Sequence, residues 1–426
     1  MRAAAPPYPV TVRMPFSEED LAMTFPTTPV SPVAPLLAEL CRIAGLPFER
    51  SETLPPEAYI APEFHAWEVK QIFHRDWLCV ARADQVAEPG AYLRLDDLPD
   101  RPLVLTRDED GVLHALSRVC RHRFMDVLPP ETTAEQGRLE RLVCPYHTWT
   151  YRLNGEFAGR LAGAPLMRAP GFDRAACRLP DHRLEEWNGF VMLSLDPAAP
   201  PLAPELSGLD AALAGYGLTG WETACTLRWN GVPANWKVAL ENACENYHHL
   251  GTHATTLEPV LPARATRVDD CDGRWFTTFT PASPAGPDGH GPLSAPFPPP
   301  PGLSPEQLSG MTVAGIFPNC LLALLPGNVV WGSWWPTGPV THDAVFRVLV
   351  PPGTSRHRDM PGHLEAIRAL LSRVQEEDLV AIRGVQRGLS AAPGPPAGRL
   401  SHLERPLWQF QRYLSARPGG RHQRSR

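Results

Sequence analysis

Two short cysteine–histidine pairs constrain this chain more than any other feature. Cys120-Arg121-His122 follows one β-rich run, and Cys144-Pro145-Tyr146-His147 precedes another, with 21 residues between the pairs. Each pair offers one sulfur and one nitrogen donor. The surrounding segments read as strands. RPLVLTR and VLHALSRV flank Asp108-Glu109-Asp110-Gly111, a hairpin signal. HTWTYRL runs into Asn154-Gly155, the strongest short turn dipeptide. EEWNGFVMLSL reads as a further strand. Two loops placed in this way can pinch one metal centre between them.

A set of two Cys and two His suits zinc or an iron–sulfur cluster. A zinc finger takes both Cys from one loop and both His from a helix, which this spacing does not match. A [2Fe–2S] centre of Rieske type places two thiolates on one iron and two imidazoles on the other. A neutral imidazole pair carries less negative charge than a thiolate pair, so the His-bound iron is the easier one to reduce. A structural zinc clip, or buried Cys and His without metal, is the alternative.

A second constellation lies in NWKVALENACENYHHLGTH, residues 235–253, which reads as a helix. Glu245 and His248 are three apart and share a helical face. His248 and His253 are five apart, which on a straight helix separates them by roughly 140°. Gly251 lies between them and can end or distort the helix, letting His253 swing back. His249 points elsewhere and reads as structural. Two histidines need a carboxylate from far away in sequence to complete a facial triad. HLEAIRALLSRVQEEDLVAIRGVQRGL, residues 363–389, reads as a long amphipathic helix with Ile367, Leu371, Val374, Ile382 and Val385 on its apolar face. Asp378 falls on that stripe, where a lone acid is costly unless it is paired or binds metal. Glu376 turns toward solvent, and Glu377 is the rival to Asp378.

Taken together, these segments resemble the terminal oxygenase (α) subunits of Rieske non-haem iron oxygenases. The resemblance rests on CRHR at 120–123, CPYHTWTY at 144–151, NWK…EN…E-x-Y-H-x(4)-H within 235–253, and EEDLVAIRGVQRGLS. It runs from about Pro55 to Phe410, and LPPEAYIAPEF and GIFPN look most like the choline, carnitine and glycine-betaine monooxygenase subgroup. The loop between the two ligand pairs, containing MDVLPPETTAEQG, is longer than is usual in the family.

The resemblance implies that Cys120, His122, Cys144 and His147 hold a [2Fe–2S] Rieske cluster. It implies that His248, His253 and Asp378 hold a mononuclear Fe(II), and that Glu245 bridges to the cluster of a neighbouring subunit in a homotrimer. It implies NAD(P)H electrons arriving through a separate reductase, or a reductase plus ferredoxin, with O₂ used to monooxygenate or demethylate a small substrate. A trimethylammonium substrate wants an aromatic cage. Tyr247, Phe317, Trp331, Trp334 and Trp335 are available for one; alternatively the tryptophans pack the sheet core. Arg121 and Arg123 shield the cluster or dock an electron donor. Three rivals stay open: an aromatic ring-hydroxylating dioxygenase, a Rieske electron-transfer protein without oxygenase chemistry, and a zinc-stabilised binding module.

The expected fold is α+β, with an N-terminal all-β Rieske [2Fe-2S] domain and a catalytic domain whose antiparallel sheet is covered by helices. Residues 1–50 form an N-terminal extension, partly mobile. Residues 51–77 form a helical segment packing on the catalytic domain, with PEFHAWEVKQIFHRDW as one amphipathic helix. The Rieske domain spans 78–195, a linker 196–209, the catalytic domain 210–415 and a disordered tail 416–426. The Pro/Gly-rich stretch 283–305 reads as a loop or lid.

Forty basic against forty-six acidic residues give a net charge of −6, which argues against a wholesale nucleic-acid binder. Nine scattered cysteines form no dense framework and argue against a secreted disulfide scaffold. The N-terminal residues have no apolar core of signal-peptide length. The uncharged stretch Leu308–Thr341 is long enough to span a bilayer, but Pro318, Asn319, Pro326, Gly327 and Asn328 break it. It reads as two buried strands, GIFPNCLLALL and VVWGSWW. A cytoplasmic protein without membrane attachment is the expectation.

Overall fold

The computed structural model describes residues 10–14, 33–158, 164, 166–269, 273–283, 299–391 and 398–417. The expected tail from 418 onward and most of the Pro/Gly-rich stretch, 284–298, lie outside the described residues. The chain divides into two compact units, Phe73–Pro200 and Met1–Ile72 with Pro201–Arg426.

The first unit is built on seven antiparallel strands. Their order is Leu78–Arg82, Phe190–Ser194, Asp181–Trp187, Leu113–Ser117, Leu103–Arg107, Ala91–Leu95 and Gln136–Arg138. The Asp108–Gly111 turn joins the central hairpin, with Gly111 at φ 78°. EEWNGFVMLSL is a hairpin rather than one strand. Asn188 and Gly189 both take positive φ, 49° and 75°, as a type I′ turn requires. A small ribbon, Leu142–Val143 with Thr150–Tyr151, completes the unit. Leu116, Leu142, Trp149, Tyr151 and Leu179 pack in one buried cluster with Cys120 and Cys144.

The second unit carries an eight-stranded sheet. Its order is Val10–Met14, Glu222–Val232, Thr341–Val350, Val329–Gly338, Cys320–Leu324, Gly310–Ile316, Trp275–Pro281 and Arg267–Val268. All neighbours are antiparallel except the first pair. The uncharged stretch supplies three strands, not two, because Phe317-Pro318-Asn319 turns the chain between Ile316 and Cys320. No helix among the described residues is long and apolar enough to cross a membrane.

Other elements depart from their expected bounds. The segment from Pro62 to Trp77 is not one helix. An α-helix over Pro62–Glu68 widens into a π turn over Val69–Phe73, and a strand begins at Leu78. Residues 203–209, expected in a linker, belong to the helix Ala203–Leu213, which buries Leu206, Leu209 and Leu213. Within the expected N-terminal extension, Val33–Ala44 is a helix with Leu36, Leu37, Leu40 and Ile43 buried.

The long helix runs Met360–Ala391, but its buried stripe is Gln375, Leu379, Ile382 and Gln386. Val385, expected on the apolar face, is 51% exposed. One of the two buried glutamines has a clear structural task. Gln386 Oε1 accepts from the Asn235 backbone N–H at 2.8 Å, which fixes the start of the helix Trp236–Ala243.

Candidate functional site

The two Cys-His loops share one backbone design. Cys120 N–H donates to the Met125 carbonyl, and Phe124 N–H donates back to the Cys120 carbonyl. Cys144 N–H donates to Trp149, and Thr148 N–H donates back to Cys144. The fourth residue after each cysteine takes positive φ, 62° at Phe124 and 57° at Thr148. Such conformations are strained for these residue types and persist only where the surroundings fix them. Each loop thereby aims its Cys and His the same way.

The four donors meet. Cys120 and Cys144 are buried in one cluster with Trp149 and Tyr151. The His122 and His147 rings lie edge to face at 4.7 Å, and Trp149 stacks on His122 at 4.7 Å. Burial pushes the Cys144 thiol up and the His122 imidazole down. His147 Nδ1 is buried without a hydrogen-bond partner among the described residues. Crowded thiols and an orphaned imidazole nitrogen suit a group that takes two thiolates and two neutral imidazoles, as a Rieske cluster does. Tyr151, which sequence reading left unassigned, sends its hydroxyl to within 3.2 Å of Cys120 Sγ and accepts from Arg121 N–H at 3.0 Å.

In the other unit, Asn235 caps the helix Trp236–Ala243 by accepting from Lys237 N–H at 2.9 Å. The helix ends before the histidines. Cys244 closes it, and a 3₁₀ turn follows over Tyr247–Leu250. The turn stops at Leu250, with Gly251 as its C-cap at φ −107°, so the helical run ends between His248 and His253 without needing a positive φ. Asn246 Nδ2 ties the break to the sheet by donating to Thr280 Oγ1 at 2.7 Å.

This turn and the long helix bring His248, His253 and Asp378 together, with one ligand atom from each lying within 4.8 Å of the others. Asp378 Oδ1 is 3.0 Å from His253 Nε2 and 3.6 Å from His248 Nε2. The remaining ring nitrogens are each held by another acid. His248 Nδ1 donates to Glu245 at 2.8 Å, and His253 Nδ1 donates to Glu377 at 2.7 Å. Burial lowers the His253 imidazole, but the bonds to Asp378 and Glu377 outweigh it and raise it overall. His249 stays outside this ligand group. Its ring packs 5.1 Å from His248 and 5.5 Å from His253, while Nδ1 donates to the Leu261 carbonyl. Burial holds it neutral, down to about 3. Two imidazole nitrogens and a carboxylate oxygen held this close are the donor set of a divalent non-haem iron site.

The five aromatic pocket candidates are not brought together. Sheet register puts Trp334, Phe346 and Trp229 on one face, with centroids 5.8 and 5.2 Å from Phe346. Thr280 lies on this same face by register, so the histidine turn is tied to it. Trp331 and Trp335 alternate to the opposite face, where Arg347 stacks on Trp331 and Trp335 Nε1 donates to Ser333. Phe317 is core, packed against Phe276, Phe410 and Tyr413, and Tyr247 is 48% exposed. Of the three tryptophans, Trp334 stands on the sheet face to which the histidine turn is tied. Sequence reading missed Trp229 and Phe346. The period-two alternation of strands, applied from Trp334 outward, carries that signal.

An all-β unit with paired Cys-His loops, in one chain with a sheet-and-helix unit that carries a two-histidine, one-carboxylate set, defines a protein built around two metal centres. Residues 76–170 match the Rieske [2Fe-2S] domain, and residues 207–419 match the ring hydroxylating alpha subunit (catalytic domain). The chain belongs to the ring-hydroxylating alpha subunit family.

It is 34% identical over 223 residues to the glycine betaine monooxygenase oxygenase subunit of Chromohalobacter salexigens, covering 52% of this chain and 46% of that one. It is 30% identical over 197 residues to the carnitine monooxygenase oxygenase subunit of Escherichia coli, covering 46% and 50%. The chain thus spans about half the length of these curated relatives. A longer match, 26% over 396 residues, is to the chloroplastic choline monooxygenase of Arabidopsis thaliana, covering 86% and 82%. Among solved structures, the quaternary ammonium Rieske monooxygenase CntA shares the fold with a TM-score of 0.72 at 21% identity, over 88% of this chain and 97% of that one. Naphthalene 1,2-dioxygenase from Rhodococcus sp. shares it with a TM-score of 0.70 at 20% identity, over 90% and 96%.

Proposed function

We propose that this chain is the terminal oxygenase component of a Rieske non-haem iron system acting on a small quaternary ammonium or betaine-like substrate. The observation that carries the reading is the convergence of His248, His253 and Asp378, each histidine braced by a further acid. A plain electron carrier has no use for this set. The Cys-His loops support the other half of the reading.

In this reading Cys120, Cys144, His122 and His147 hold the cluster, and His248, His253 and Asp378 hold Fe(II). When bound, the two centres supply one-electron delivery and the reductive use of O₂. The protein's own part is to orient and to exclude water. His253 is 1% exposed, so its Nε2 meets no bulk solvent. Glu245 fixes the His248 ring through Nδ1 and also accepts from the His248 backbone N–H at 3.1 Å. Trp229, Trp334 and Phe346 offer π faces for a trimethylammonium group, worth ~2 kcal/mol or more where water is excluded.

The names of the relatives favour this substrate class. Electrons come from a separate reductase, with a homotrimer as the working assembly and a cytoplasmic location. The test is reductase-coupled O₂ uptake with glycine betaine, carnitine, choline and naphthalene under isotopically labelled O₂. The proposal expects uptake with a quaternary amine and a single labelled oxygen in its product. Uptake with naphthalene alone, giving a doubly labelled diol, overturns the substrate class in favour of ring dihydroxylation.

A further inference from the structure

We infer that Glu377 is a positioning residue for His253, a role distinct from the ligand role given to its neighbour Asp378. The inference rests on the iron-site reading above and deepens it. The two acids are consecutive on one helix, so their side chains diverge by roughly 100°. They straddle the His253 ring. Glu377 Oε2 takes Nδ1 at 2.7 Å, and Asp378 Oδ1 faces Nε2 at 3.0 Å. An imidazole gripped at Nδ1 by a carboxylate carries its proton there. Its Nε2 lone pair is then committed to the metal.

Glu377 is itself held. The Thr256 hydroxyl donates to the same Oε2 at 2.5 Å, and Arg373 Nε lies 3.5 Å from Oε1. Thr256 N–H donates to the His253 carbonyl at 3.1 Å, which closes a small ring through His253, Glu377 and Thr256. Arg373 reaches the neighbouring Thr255 hydroxyl at 3.3 Å. A surface ion pair with Arg373 accounts for one oxygen of Glu377 and leaves the other, which carries both shorter bonds, unexplained. Glu245 makes the matching bond to His248, so each histidine of the site has an acid behind it. The pairing gives both rings the same tautomer and adds negative charge around a divalent ion.

The experiment is Co(II) and Fe(II) binding to cluster-loaded protein stripped of mononuclear metal, for wild type, Glu377→Ala, Glu377→Gln and Asp378→Ala. Cluster absorbance and circular dichroism report folding. Glutamine keeps an oxygen that accepts from both Nδ1–H and Thr256, so it separates orientation from charge. The expected result is ~10–100-fold weaker binding for Glu377→Ala, recovery of most of that loss in Glu377→Gln, and near-complete loss in Asp378→Ala. Wild-type affinity in Glu377→Ala overturns the inference, as does a loss equal to that of Asp378→Ala, which makes Glu377 a ligand. Failure of the iron-site reading looks different, because Asp378→Ala then binds metal like wild type.

Discussion

Lys237 is one of two lysines in the chain, and it is fully buried against Glu68, also fully buried, at 2.5 Å. Trp236 Nε1 donates to the second Glu68 oxygen at 3.2 Å. Tyr59, Phe64 and Trp236 box the ammonium at 5.2, 5.5 and 5.5 Å. Burial pushes the Glu68 carboxyl up and the Lys237 ammonium down. At an effective dielectric of about 20, charges at this spacing attract by ~7 kcal/mol. Desolvation costs several kcal/mol per ion, so the intact pair is close to neutral for stability, while an orphaned partner costs ~3–5 kcal/mol. Lys237→Met therefore lowers the melting temperature by about 6–20 °C, at ~2–4 °C per kcal/mol. The double variant Glu68→Gln/Lys237→Met removes both charges, keeps an acceptor for Trp236, and recovers most of the loss. Thermal melts followed by circular dichroism at neutral pH test this. A single variant that melts with wild type, or a double variant as unstable as the sum of both singles, refutes the reasoning.

The site makes further predictions. Tyr151→Phe removes the hydroxyl beside Cys120 Sγ, a contact that favours the more negative, reduced cluster. Losing ~1 kcal/mol of that preference lowers the potential by ~40 mV for one electron; a redox titration showing no fall contradicts it. Burial raises the Glu241 carboxyl from 4.5 to about 7, opposed by Tyr59 and Lys237 and aided by Glu404 and Glu68. Its folded value lies above its unfolded one, so its stabilising contribution is full below 4.5 and is lost as pH rises through 7. Melting temperature should thus fall between pH 5 and 8 by more in wild type than in Glu241→Gln, and equal slopes would count against the assignment. Trp334→Ala should raise KM for a quaternary amine by ~10-fold or more. Trp331→Ala, on the other sheet face, should lower stability and leave KM unchanged.

Much of the fold and site was legible because the chemistry needs specific donors. Cys120, His122, Cys144 and His147 stood out by element and spacing, and strands around them by turn residues such as Gly111 and Asn154-Gly155. What escaped depended on backbone geometry and on neighbours distant in sequence. A helix drawn straight through 235–253 hid its early end at Cys244 and the change to a 3₁₀ turn over Tyr247–Leu250, while the stop at Gly251 was foreseen. Reading the long helix by apolarity alone put Val385 inside and gave no sign that Gln386 is buried, since the bond from Asn235 to Gln386 spans 151 positions. Glu377 and Asp378 looked like competitors for one place, whereas an imidazole has two nitrogens and the structure gives one acid to each. The tryptophans of VVWGSWW were pooled as one cage, although alternation already separates Trp334 from Trp331 and Trp335.

The central claim is that one chain holds a half-imidazole iron–sulfur cluster and a separate ferrous site. Iron and acid-labile sulfide analysis with electron paramagnetic resonance of the reduced protein, on wild type and His248→Ala, tests it most directly. The account predicts ~3 irons and ~2 sulfides per chain with a Rieske-type signal in wild type, and loss of ~1 iron with the signal and sulfide intact in His248→Ala. Zinc in place of the paired irons, or an iron count unchanged by His248→Ala, contradicts it.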